Sequence, residues 1–158
     1  MTCATLKGMR PSLHEYAGGS PALLALAGAH HARCLADPEL NHPFSHPDQH
    51  PQHVERLAAY WGQALGGPAA YTGAHGGTHA GVVSMHCGNG DLTDLNRRFL
   101  ACFVAAMDDV GLPDDPAFRA AMRGYLEWSI GEVSGRPDGA PPVPDGTPFP
   151  VWSWDGLQ

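Results

Sequence analysis

Apolar side chains recur along this chain at intervals of three and four, the period of helices that bury one face, and no alternating stretch is long enough for a sheet. The first helical stretch opens at Gly18-Gly19-Ser20-Pro21, where the glycines make a turn, Ser20 supplies a cap and Pro21 takes the first helical position. It runs through Ala22-Leu23-Leu24-Ala25-Leu26 to about Ala36, where Asp37-Pro38 stops it, because a residue before proline is pushed out of helical geometry. In the second stretch His53, Leu57, Trp61 and Leu65 repeat every four residues, and Gly66-Gly67-Pro68 ends it. A short helix or helical turn is expected before Cys87-Gly88-Asn89-Gly90. Leu95, Phe99, Cys102, Phe103, Ala106 and Val110 mark a third long helix that starts near Asp91 or Thr93 and closes at Gly111-Leu112-Pro113. Phe118, Met122, Tyr125, Leu126, Ser129 and Val133 mark the last, from near Pro116. The class is all-α.

Three segments break this pattern. Residues 1 to 20 are weakly periodic. The run from Asn41 to Pro51 has three prolines in eleven residues, which excludes regular helix, and carries one large apolar side chain, Phe44. Beyond Gly135, proline, glycine and aspartate dominate until Trp152-Ser153-Trp154, which is too aromatic for a bare tail and is expected to pack back on the domain. The expected organisation is an N-terminal extension over 1–17, one helical domain over 18–135, and a proline- and tryptophan-containing tail over 136–158.

Composition narrows the function. A length of 158 residues with 43% hydrophobic residues suits one domain with its own core. The net charge of -7 and a single lysine, Lys7, exclude a nucleic-acid-binding surface. No stretch of about twenty apolar residues occurs and no basic start leads into an apolar run, so no membrane partner and a cytoplasmic location are expected. The four cysteines Cys3, Cys34, Cys87 and Cys102 are dispersed, without the Cys-x-x-Cys pairs of zinc knuckles, redox couples or covalent haem attachment.

Candidate chemistry lies with the ten histidines. His86 follows Gly81-Val82-Val83-Ser84-Met85, one imidazole on an uncharged apolar stretch. A lone histidine of this kind is more often a core residue than a ligand. Its combination with the apolar, histidine-bearing segment from His53 to Leu65 suits a haem: one imidazole binds iron axially and an opposing helix closes the other face. A rival reading takes His42, His46, His50 and His53, together with His30 and His31 close in sequence to Cys34, as a non-haem site for zinc, nickel or copper. His42, His46 and His50 each precede a proline, however, so their fourfold spacing does not place them on one helix. A third reading is an interaction module that docks through Trp152 and Trp154; haem colour separates it from the first.

In order, Asp37-Pro38-Glu39-Leu40, Phe44, Glu55-Arg56-Leu57 with Trp61, Gly66-Gly67-Pro68, Tyr71, and Met85-His86 resemble the truncated haemoglobins, and among them the second group, over roughly Gly18 to Val133. The resemblance implies a two-over-two helical sandwich with non-covalent haem b. It further implies His86 as the proximal iron ligand, Phe44 as the aromatic wedge at the corner, His53 as the gate residue, Leu57 and Trp61 toward the ring, and Arg56 at a propionate. Two positions depart from the family. His31 stands where a tyrosine is usual on the second helix, and Phe99 where a tryptophan is usual after the proximal histidine. Each change removes a habitual hydrogen-bond donor, which leaves His31 or His53 to bind the ligand or the iron itself. Basic residues usual before the proximal histidine are replaced by Val83, Ser84 and Met85; Arg97, Tyr71 and His79 are the remaining candidates for propionate contacts. The implied partners are dioxygen, nitric oxide or carbon monoxide and an unidentified reductase. The implied activity is reversible diatomic binding, with nitric oxide oxidation or peroxide reduction as redox alternatives, in a monomer or homodimer.

Overall fold

The structure is a computed structural model that describes residues 10–41, 50–85, 92–134, 141–144 and 146–158. Six helices lie among them: α1 (Leu13–Ala17), α2 (Ser20–Ala36), α3 (His53–Ala64), α4 (His79–Met85), α5 (Thr93–Asp109) and α6 (Pro116–Val133). The long helix α2 packs on α3 on one side and on α5 on the other, and α5 packs on α6. The result is a two-over-two helical sandwich with α4 as a short element against α6.

Local chemistry explains the helix ends. At α6 the Asp115 carboxylate accepts from the Phe118 N–H at 3.0 Å while Pro116 occupies the first turn. At the end of α2, Asp37 is extended and its Oδ1 accepts from the Glu39 N–H at 2.8 Å, so the expected stop at Asp37-Pro38 is an Asx turn. The start of α2 differs from expectation by one residue. Gly19 is the cap, and the Ser20 hydroxyl instead meets His14 Nε2 at 3.2 Å. Gly66, just past α3, has φ of 92° and lies so close to Ser12 that a Cβ would come within 2.8 Å of the serine Cβ. Only glycine allows α1 and the end of α3 to meet there.

Helix α1 had no periodic signal in sequence. Ser12 caps it by accepting from the Glu15 N–H at 3.1 Å, and Leu13 is buried under the end of α3. The core is formed by Leu13, Leu23, Leu26, Trp61, Leu65, Phe103, Met107, Phe118, Met122, Tyr125 and Leu126. Burying each such side chain contributes on the order of 1.5–3 kcal/mol.

The C-terminal segment packs back as expected, with one addition: a two-residue hairpin, β1 (Trp152–Ser153) and β2 (Gly156–Leu157), pairs antiparallel. The Trp152 indole donates to the Ala121 carbonyl of α6 at 3.0 Å, and the Trp154 indole to the Pro11 carbonyl at 2.9 Å. Trp154 also stands edge-on to Tyr16 at 5.0 Å, and Arg10 covers its face. The tail therefore ties α6 to the start of the chain.

Candidate functional site

The buried stripe of α2 is Leu23, Leu26, Ala27, His30 and Cys34, the spacing of one helix face. His30 is fully buried, and its Nε2 lies 3.2 Å from the Phe99 carbonyl of α5. A carbonyl only accepts, so Nε2 carries a proton. Burial lowers the His30 pKa to about 4, against a smaller raising effect of the Phe99 bond, which keeps the ring neutral near pH 7. Around it stand Phe99 at 4.3 Å, Trp61 at 5.4 Å and Phe103 at 6.1 Å, all edge-on. In sequence His30 stands out through its nearness to His31 and Cys34 as a metal candidate, whereas its spacing from Leu23, Leu26 and Ala27 puts it on the core face.

One residue on, the helix turns His31 toward α3, where its half-buried ring meets that of His53 at 5.5 Å between centroids. Leu57 follows His53 by one turn and is half-buried; Trp61 follows by another and is 2% exposed. Thus His31 and His53 face each other across α2 and α3, while Trp61 and Phe99 meet through His30, with Leu57 on the same face of α3.

Arg56 points to a different flank. Its Nη1 donates to the His75 carbonyl at 3.1 Å and its guanidinium lies 5.5 Å over the Tyr71 ring, so it holds the loop between α3 and α4. Tyr71 and His79 are buried against Tyr60, and Arg97 is an exposed residue paired with Asp94. His86 and Phe44 lie outside the described residues, as do His42 and His46 of the rival corner. His50 is exposed and its Nδ1 accepts from the Gln52 N–H. Among the described residues no group of three or more His, Cys, Asp or Glu is arranged to hold a metal ion.

Whether haem suits these residues is decided by the donor set. Two imidazoles on opposing helices, with Leu57 and Trp61 on α3 and Phe99 on α5, offer a mainly apolar wall with few polar groups, which is what a flat macrocycle with axial chemistry requires. A separate cleft of about 200 Å³ lined by His14, Leu24, Ala58, Ala59 and Gly62 is on the opposite face of α3. It is smaller than the roughly 300 Å³ at which ligand pockets usually begin. Cys34 and Cys102 approach each other between α2 and α5, and burial raises both thiols, so neither is an activated nucleophile.

The family model of the bacterial-like globins matches residues 12–123. The chain belongs to the bacterial-like globin family. No curated protein matches it in sequence. Among solved structures, this globin is similar to the group II truncated haemoglobin from Bacillus anthracis, with 22% identity, a TM-score of 0.65, and coverage of 82% of this chain and 95% of that one. It is also similar to the truncated oxygen-avid haemoglobin from Bacillus subtilis, at 26% identity and a TM-score of 0.63, covering 79% of this chain and 100% of that one. The thermostable haemoglobin from Thermobifida fusca gives 26% identity and a TM-score of 0.62, covering 79% and 98%. The two-over-two fold and the likeness to group II truncated haemoglobins are therefore shown, and family membership implies a haem cofactor and diatomic ligands for this globin. No helix among its described residues is long and apolar enough to cross a membrane.

Proposed function

We propose that this globin holds haem b without covalent attachment and reversibly binds dioxygen or another diatomic through a distal pair of histidines. His86 would hold the haem iron and Phe44 would wedge the ring at the corner. His31, His53, Leu57, Trp61 and Phe99 form the opposing wall over a globin unit spanning 18–135. Arg56 would pair with a haem propionate on leaving the His75 carbonyl, which now accepts its Nη1–H at 3.1 Å. The observation that carries this reading is the meeting of His31 and His53 at 5.5 Å across the two helices that form the distal side.

Haem, once held, would supply an iron at which a bound diatomic carries partial negative charge on its outer atom. An imidazole N–H directed there stabilises that charge, and two imidazoles give the wall a donor although the usual phenol is absent. Apolar Leu57 and Phe99 keep water from competing for those donors. Neutral His30, fixed by Phe99, is the packing base that sets the rotation of α2 and so the direction of His31. Nitric oxide oxidation or peroxide reduction would use the same wall together with an external reductase.

The test is a set of ferric, reduced and carbonmonoxy spectra followed by dioxygen release rates for His31→Leu and His53→Leu. The reading expects a haem spectrum in the parent and faster release in at least one variant. Unchanged release in both would remove the distal pair from the account.

A further inference from the structure

Beyond the haem wall, one buried polar arrangement is left without a role. His79, the first residue of α4, is 6% exposed. On one side the Tyr60 hydroxyl of α3 lies 3.4 Å from its Nδ1; on the other, Glu132 Oε2 of α6 lies 3.8 Å from its Nε2. A phenol donating to Nδ1 fixes the neutral tautomer with the proton on Nε2, directed at the carboxylate. The imidazole thus links three helices in one sense.

We propose that Tyr60, His79 and Glu132 form a positioning bridge that fixes the start of α4, and with it the approach of the segment carrying His86, under a cover supplied by Phe149 of the C-terminal segment. This rests on the reading of His86 as the axial ligand. Helix α4 has 7 residues, far below the length at which a helix holds itself together, so its place is set by tertiary contacts. Val83 supplies an apolar contact, but apolar contacts are non-directional. A hydrogen bond at one edge of the planar ring and a carboxylate 3.8 Å from the other edge orient the ring as well as place it, and buried polar contacts rigidify what they join.

The surroundings are built to hold this ring. The Tyr71 ring stands perpendicular to Tyr60 at 5.2 Å. Gly77 lies flat on Tyr71, where a Cβ would come within 2.2 Å of the ring, and its N–H donates to the Tyr71 carbonyl at 3.0 Å. Arg56 holds the same loop at His75. Phe149 closes the outside, 5.0 Å from Tyr60 and 6.1 Å from Tyr71. The tail thereby reaches the proximal side as well as the N-terminus. The charged and titratable groups facing His79 are Tyr60 from α3 and Glu132 from α6.

The experiment compares Tyr60→Phe, His79→Leu, His79→Gln and the distant control Trp154→Phe as full chains reconstituted with haem. It records the iron–imidazole stretching band of the reduced protein by resonance Raman and the rate of haem transfer to an apoglobin acceptor. The expected result is a shifted or broadened band and roughly tenfold faster haem transfer in Tyr60→Phe and His79→Leu, the size expected from losing one buried hydrogen bond. His79→Gln, whose amide can accept from Tyr60 and donate to Glu132, should return toward the parent, and Trp154→Phe should leave both readouts unchanged. Should His79→Leu not fold, Tyr60→Phe decides, since it keeps the ring and deletes one hydroxyl. A parent with a haem spectrum whose band and transfer rate are unaltered in Tyr60→Phe would overturn the bridge while leaving the haem reading intact, even if thermal stability fell. A parent with no haem spectrum would overturn both.

Discussion

The Nε2–H of His30 donates to the carbonyl of Phe99 at 3.2 Å, a buried bond between α2 and α5. Its consequence is a defined pH dependence. The folded-state pKa of His30 is lowered by burial to about 4, whereas the unfolded chain titrates near the ordinary value of 6.5. Between those values the unfolded state binds more protons, so stability is full above about pH 6.5 and falls as pH drops toward 4, by about 3 kcal/mol in all. Burial lowers His14 and His79 too, which adds slope of the same sign. The lowered carboxylates Asp37, Asp94 and Asp109 lose their contribution only below this window. Urea unfolding of the parent and His30→Leu from pH 4 to 8 checks this: the variant should be less stable at pH 7 but flatter below 6.5. An equal slope in both would exclude His30 as its source.

Removing either distal imidazole should change ligand retention more than fold. A hydrogen bond worth about 1.4 kcal/mol corresponds to a tenfold change in rate. Dioxygen release is therefore expected to speed up about tenfold in whichever of His31→Leu and His53→Leu deletes the donor, with helical circular dichroism unchanged.

Gly77→Ala is expected to cost 1–3 kcal/mol, the usual range for overpacking, since its methyl group meets the Tyr71 ring at 2.2 Å. Gly76→Ala next to it encounters no atom within 4 Å, although its φ of 62° brings strain of its own. Thermal unfolding of the first variant together with Tyr71→Leu/Gly77→Ala separates the two causes: the double variant should recover part of the loss if the clash with the ring is responsible.

Cutting the chain before residue 141 should expose Trp128 and Tyr125, which the Trp152 ring contacts at 5.8 and 6.2 Å. Lower thermal stability is expected, and Trp152→Ala alone should cost about 2 kcal/mol, less than a fully buried tryptophan because the site is half-exposed. Full stability in the truncated chain would show that the tail is not part of the fold.

The long helices were legible because their ends carry local chemistry. Asp37-Pro38, Gly66-Gly67-Pro68 and Pro116 stop or start helices by backbone geometry that needs no tertiary partner. Helix α1 was harder: Ser12 and Glu15 have the serine-to-glutamate spacing of a helix start, but five residues are too few to show a period. The resemblance pointed to His31 and His53 separately, and their meeting at 5.5 Å comes from the packing of α2 on α3. Arg56 was not, because its partners, the His75 carbonyl and the Tyr71 ring, are brought up by a loop whose course depends on Gly77 lying against Tyr71. The same holds for His79, which lies in a polar, glycine-rich stretch and is buried only when α3, α6 and Phe149 close around it. His86 and Phe44, which lie outside the described residues, were legible through the family resemblance.

The most direct test of the central claim is an absorption spectrum of the parent and of His86→Ala after haem supply, taken ferric, reduced, and reduced with carbon monoxide. A Soret band that shifts on adding carbon monoxide in the parent, and that is lost or poorly retained in His86→Ala with helical content largely kept, is the predicted result. No Soret band in the parent after reconstitution, or undiminished haem retention in His86→Ala, would contradict it.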